Sequence, residues 1–190
     1  MSRKRQELID TAITLFSKNG FHATGIDLIA KEANVSKKTM YNHFRSKEEL
    51  TLAALKHHDA LFRNNFMKSV NQLSESPLRR LLGIFEVAHH WFSDNNFYGC
   101  MFINAIGEYS NKDTPIRRAC QDFKTQMTSY VEETAAAANI KNPGILAEKL
   151  ALLLEGSIVT AQVAGKPDSA ETAKAMAKVL IKDAVKNNDK

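Results

Sequence analysis

The chain has 190 residues, a length for one domain or two small ones, and its 44% hydrophobic and 25% charged residues exclude an intrinsically disordered or fibrous sequence. Eight Gly and four Pro are too few for the turns of a β-sandwich or barrel. No apolar run approaches the roughly 20 residues that cross a bilayer, and two cysteines, Cys100 and Cys120, make neither a disulfide scaffold nor a four-ligand metal site. The net charge is +5, and residues 1–60 carry ten Lys/Arg against seven Asp/Glu. Such a balance fits a nucleic-acid partner without establishing one.

In chain order the pattern is helix after helix. Met1 to Glu7 has charges but no apolar segment behind them, so no signal peptide is expected and a cytoplasmic, reduced setting follows. Leu8, Ala12, Leu15 and Phe16 lie on one stripe of a helix over 4–19, which Gly20 ends. A short helix is expected over 25–33, with Thr24 as N-cap and Asn34 as its left-handed terminator. Ser36 caps a second short helix over 37–44. Ser46 and Glu49 form a capping box that opens a long helix from 47 to about 70. Ser76-Pro77 opens 77–93, a shorter helix covers about 101–110, and Thr114-Pro115 opens 115–138. Asn142-Pro143 precedes 144–164, and Asp168 to Glu171 is a second capping box opening 169–187, with residues 187–190 a frayed tail. The expected fold is all-α: about nine helices and no strand.

Residues 27–45 have helix-turn-helix spacing: a helix of about seven residues, the turn Asn34-Val35-Ser36, then a second short helix. Small Ala30 allows close approach, and Val35, Met40 and Phe44 supply the apolar contacts between the two. That leaves Lys37, Lys38, Thr39, Tyr41, Asn42 and His43 to donate to phosphates or read base edges. The same residues also suit an ordinary solvated face of a small helical pair.

The stretch from Gly20-Phe21 through Thr24 and Ile29-Ala30, with Val35-Ser36, Thr39-Met40-Tyr41-Asn42-His43-Phe44 and Ser46-Lys47-Glu48-Glu49-Leu50, resembles the DNA-binding domain of the tetracycline-repressor (TetR) family. The match covers about residues 4–55. It departs from the family at Lys38 and Asn34, where Gly is frequent. The resemblance implies a helix-turn-helix DNA-binding domain over 1–48 and a helical domain for ligand binding and dimerisation over 49–190. It implies a homodimeric transcriptional regulator, most commonly a repressor, released from a palindromic double-stranded DNA operator by a small-molecule inducer. Thr39, Tyr41 and His43 would contact phosphates or bases, Thr24 and Lys47 would meet phosphates at helix N-termini, and Lys37, Lys38 and Asn42 are further readers. Arg3, Lys4 and Arg5 would form an arm over the DNA or remain disordered.

In the C-terminal two-thirds the resemblance is weaker. His89, Phe92, Cys100, Asn104, Glu108, Phe123, Met127 and Glu155 are the candidates for a ligand pocket, and plain core packing is the alternative for its aromatics. Homodimerisation is expected through 144–164 and 169–187, on faces carrying Leu146, Leu150, Leu153, Leu154, Ile158 and Ala161 and then Ala173, Ala177, Leu180, Ile181 and Ala184. These faces could equally be buried within one subunit. Cys100 admits an electrophile- or redox-sensing regulator as an alternative, since some family members resemble this region and sense through a cysteine. A small helical thiol enzyme using Cys100 or Glu108 with a histidine is an alternative of another class, disfavoured by the lack of a Gly-rich loop or nucleophile elbow. A helical module that uses the basic face on an acidic protein is a third. No metal, cofactor or membrane partner is expected, because no His or Cys pair has ligand spacing.

Overall fold

In the computed structural model, which describes residues 2–111 and 113–186, every described regular element is helical. In chain order these are α1 (Arg3–Asn19), α2 (Ile26–Glu32), α3 (Lys37–His43), α4 (Lys47–Leu73), α5 (Pro77–Phe92), α6 (Met101–Glu108), α7 (Pro115–Ala137), α8 (Pro143–Ala164) and α9 (Ser169–Lys186). The expected tail over 187–190 lies outside the described residues. No described helix is long and apolar enough to cross a membrane.

The chain forms two compact units. One comprises Met1–Phe62 with Cys100–Phe123, the other Arg63–Gly99 with Lys124–Lys190. The helical hairpin of α6 and early α7 therefore packs with the N-terminal helices.

In the first unit, α1 buries Leu8, Ile9, Ala12 and Phe16, and Phe16 stacks on Phe21 with ring centroids 4.8 Å apart. Ser2 caps α1 by accepting the Arg5 N–H. This corrects the expected arm: Arg3, Lys4 and Arg5 are the first turn of a capped helix. Arg3 pairs with Glu7, and the Arg5 guanidinium lies 4.8 Å over the Phe44 ring. A second cluster joins α4, α6 and α7, where Phe102 stacks on Phe123 at 3.8 Å and both rings are buried. Each such ring contributes roughly 2–3 kcal/mol by leaving water. His58 sits in this cluster, 5.7 Å from Phe62 and 5.8 Å from Phe102.

In the second unit, α5, α8 and α9 pack on one another. The stripe of Leu146, Leu150, Leu154, Ile158 and Ala161 on α8 is buried against this core, as are Ala173, Ala177 and Ile181 on α9. Most of the face expected to meet a second subunit is thus the subunit's own interior. The Ser169 hydroxyl donates to the Ser157 carbonyl and ties the start of α9 to α8. Phe92, Trp91 and Phe97 form an aromatic group at the end of α5, with centroids 5.0 to 5.5 Å apart. Tyr130 on α7 donates its hydroxyl to Asn71 on α4.

Candidate nucleic-acid interface

The chain between α2 and α3 is fixed by backbone chemistry that its residues make cheap. The Val35 N–H bonds the Ala30 carbonyl at 2.9 Å, closing the end of α2, and Asn34 takes the required left-handed conformation at φ 52°. Asn does so at lower cost than most residues because its short polar side chain tolerates that region. Ala30 is buried and small, so α2 and α3 approach closely, and Met40 and Phe44 seal the contact with almost no exposure. Ser36 then caps α3, accepting the Thr39 N–H at 3.0 Å. The cap leaves α3 starting at Lys37 with its N-terminal turn at the surface.

Four of the six expected readers on α3 are exposed: Lys37, Lys38, Tyr41 and Asn42. Their i, i+1, i+4, i+5 spacing puts them on one helix face. Thr39 and His43 are half-buried, and the Thr39 hydroxyl is 2.9 Å from the Ser36 hydroxyl. Lys37 is engaged, with its Nζ 2.8 Å from Asp27 Oδ1 on α2. The hydrogen bond to Asp27, and then that charge, hold its ammonium above the usual lysine range.

Thr24 requires a correction. It is completely buried, and its hydroxyl donates to the Gly20 carbonyl at 2.7 Å, with Leu15 O 3.3 Å away. A side chain spent on the end of α1 is not available to a phosphate. The N-cap of α2 is Gly25 instead, which has no side chain to cap with.

Lys47 is the first residue of α4, behind Ser46, whose hydroxyl accepts the Glu49 N–H while the Glu49 carboxylate accepts the Arg45 N–H at 2.7 Å. Its Nζ reaches the His22 carbonyl at 3.4 Å. The turn holding His22 is gripped from α6: Glu108 accepts the Phe21 N–H at 2.8 Å, the His22 N–H at 2.6 Å and lies 2.9 Å from His22 Nδ1. Partial burial alone would raise the Glu108 pKa, but the bonds from His22 and Phe21 outweigh it and hold the carboxyl below its usual value. Gly20 sits under this carboxylate at φ +86°, where a Cβ would meet Glu108 Oε1 at 3.0 Å.

The expected ligand-binding residues are divided between the two units. Cys100, Asn104, Glu108 and Phe123 lie in the first unit; His89, Phe92, Met127 and Glu155 lie in the second. Glu108 is committed to the α1–α2 turn, which corrects its expected place on a pocket wall. Glu155 pairs with Lys124 at 3.3 Å, Phe92 is buried among Trp91 and Phe97, and Phe123 is stacked on Phe102. Cys100 and Cys120 are free and buried, Cys100 as the N-cap of α6. A thiol that reacts as a sensor or nucleophile needs exposure and an electropositive setting, so neither the redox-sensing reading nor the thiol enzyme gains support. Among the described residues no group of three or more His, Cys, Asp or Glu could hold a metal ion.

The sequence reading missed Asp27, His22 and Glu108 as partners at this interface. The Asp27–Lys37 pair spans ten positions and Glu108 is 86 residues from His22, distances at which no periodicity speaks.

Comparison with known proteins fits this geometry. Residues 8–54 match the profile of bacterial regulatory proteins, tetR family, and residues 77–177 that of the tetracyclin repressor-like C-terminal domain. The chain is 38% identical over 82 residues to YerO, a helix-turn-helix-type transcriptional regulator of Bacillus subtilis (strain 168), an alignment that covers 43% of this chain and 28% of that protein. It is 21% identical over 182 residues to YjdC, a helix-turn-helix-type transcriptional regulator of Escherichia coli (strain K12), covering 94% of both. The crystal structure of a TetR-family transcriptional regulator from Streptomyces coelicolor superposes with a TM-score of 0.87 at 26% identity, covering 95% of each chain. The chain belongs to the TetR family of helix-turn-helix transcriptional regulators, a class without enzymatic activity.

Proposed function

We propose that this regulator binds a palindromic duplex operator as a homodimer and represses transcription until a small-molecule inducer in its C-terminal region releases it. The observation that carries the DNA-binding half is the face of α3, where Lys37, Lys38, Tyr41 and Asn42 stand exposed beyond a Ser36-capped N-terminus while Met40 and Phe44 are buried behind them. Lysines and a tyrosine hydroxyl in the first turns of such a helix reach phosphates, and Asn42 can read an adenine edge.

Dimerisation is supported by a second apolar stripe that the chain leaves uncovered. Ile145, Leu152 and Val159 recur every seven residues along α8, and each is at least 42% exposed. Val163 at 83%, and Met176 and Val179 on α9 at 53% and 67%, extend the surface. Between the two helices runs a groove of about 270 Å³, lined by Leu152, Leu153, Gly156 and Met176 among others. Only Glu148, Lys149 and Glu155 are charged among the 22 residues of α8, so the helix is apolar nearly all round, the mark of one covered on more than one side. Its occupant is the same pair from a second copy, which makes an isologous two-fold interface. Two-fold symmetry then sets two α3 helices one DNA turn apart, about 34–36 Å. Inducer binding acts by moving α4 and so altering that spacing, a coupling typically worth ~1–3 kcal/mol. His89 and Met127, half-buried in the unit that holds α8 and α9, are the inducer contacts to test first.

The test is selection from a random duplex library with the purified chain at fixed, near-physiological salt. Enrichment of a palindrome supports the reading. Binding that is only salt-sensitive and without sequence preference overturns it. Tyr41→Ala combined with Lys47→Ala should weaken binding and flatten its salt dependence.

A further inference from the structure

We infer that Glu108, at the end of α6, is a positioning residue for DNA binding: it fixes the α1–α2 turn, and the turn holds the Lys47 ammonium at the start of α4. The inference rests on the DNA interface proposed above. Each link is short. The carboxylate accepts two consecutive backbone N–H groups, those of Phe21 and His22, and contacts the His22 ring. Both N–H groups point to one side because Gly20 turns the chain at φ +86°. Bonds from N–H to a carboxylate are stronger than neutral ones. On the same residue, the His22 carbonyl accepts from Lys47 Nζ at 3.4 Å.

Lys47 needs such an anchor. It is the first residue of α4, in a turn that also carries Glu48 and Glu49, and it is half-buried. Its four-carbon stem is otherwise free to swing away. One carbonyl contact fixes the stem and leaves two of the three ammonium donors for a phosphate. Glu108 stands one step behind, joined to the lysine only through the turn, and has no part in touching DNA.

The test is a double-mutant cycle on a labelled duplex bearing the sequence recovered by selection, read as affinity and as its salt dependence. Lys47→Ala alone should lower affinity roughly tenfold and reduce the salt slope by about one. Glu108→Ala should produce a similar loss, and Glu108→Gln, which keeps one acceptor oxygen and the shape, a smaller one. On the Glu108→Ala background, Lys47→Ala should cost less than about twofold, while Tyr41→Ala keeps its full cost. If Lys47→Ala costs as much with Glu108 absent as present, the positioning role is overturned. If Tyr41→Ala loses its effect together with Lys47→Ala, Glu108 only keeps the N-terminal helices folded, and the inference is equally overturned. Should Glu108→Ala fail to fold by circular dichroism, the same cycle on Glu108→Gln decides, with the same sign expected. A wild-type chain that recovers no sequence refutes the interface itself, a failure visible before any variant is made.

Discussion

His58 offers the sharpest energetic test of the core that supports this interface. Its imidazole lies against Phe62 and Phe102, and burial pushes its pKa from 6.5 down to about 4, against a smaller upward pull from Asp59. The folded protein therefore holds His58 neutral where the unfolded chain would protonate it. Between about pH 6.5 and about pH 4 the unfolded state binds the extra proton, so stability is fully present above the unfolded pKa and is lost as the pH falls through that window. At about 1.36 kcal/mol per pH unit the full loss is about 3 kcal/mol, and roughly 2 kcal/mol of it falls between pH 7 and pH 5. His58→Phe keeps an aromatic ring in the cluster and removes the proton site. Urea unfolding of both proteins, followed by circular dichroism at several pH values across this range, isolates His58 because the other titrating groups are common to both. The wild-type chain should lose about 2 kcal/mol more than the variant on going from pH 7 to pH 5. Parallel curves would refute the reasoning and mean that the ring is reached by water.

Three further outcomes are expected. Asp27→Asn frees Lys37 and removes a negative charge beside it, so DNA affinity should rise several-fold with a steeper salt dependence, as fluorescence anisotropy at several salt concentrations would show. Leu152→Glu with Val163→Glu places charges on the exposed stripe of α8 and should yield monomers by sedimentation, with no loss of helical signal because neither side chain is in the subunit core. Ser36→Ala removes the acceptor for the Thr39 N–H and should destabilise the chain by about 1 kcal/mol in urea unfolding, with weaker DNA binding alongside.

The helices were legible because their signals are local. Ser36, Ser46 and Ser76-Pro77 mark N-termini, Gly20 and Asn34 mark ends, and each observed boundary falls within a few residues of the sequence expectation. Thr24 was misread for a reason that is also local in part. A threonine before a helix suits an N-cap, but here its hydroxyl finds two carbonyls at the end of α1, and Gly25 takes the cap position. For Arg3 to Arg5 the charge pattern suggested an arm, whereas the Ser2 cap starts α1 directly before them and Phe44 receives Arg5.

Periodicity also found the apolar stripe on α8 but could not say which of two stripes faces inward. Leu146, Leu150, Leu154 and Ile158 turned out to be interior, and the heptad of Ile145, Leu152 and Val159 stayed outside. A helix apolar on most of its surface gives no phase to choose by; only its neighbours α5 and α9 choose. The sequence alone determined the helical class, the helix-turn-helix and the donors along α3, because caps, turns and side-chain spacing act over a few residues. The tertiary structure decided that Glu108 grips the α1–α2 turn, that Asp27 holds Lys37 and that the cysteines are buried, because these depend on which distant groups the packing of the helices brings within hydrogen-bond reach.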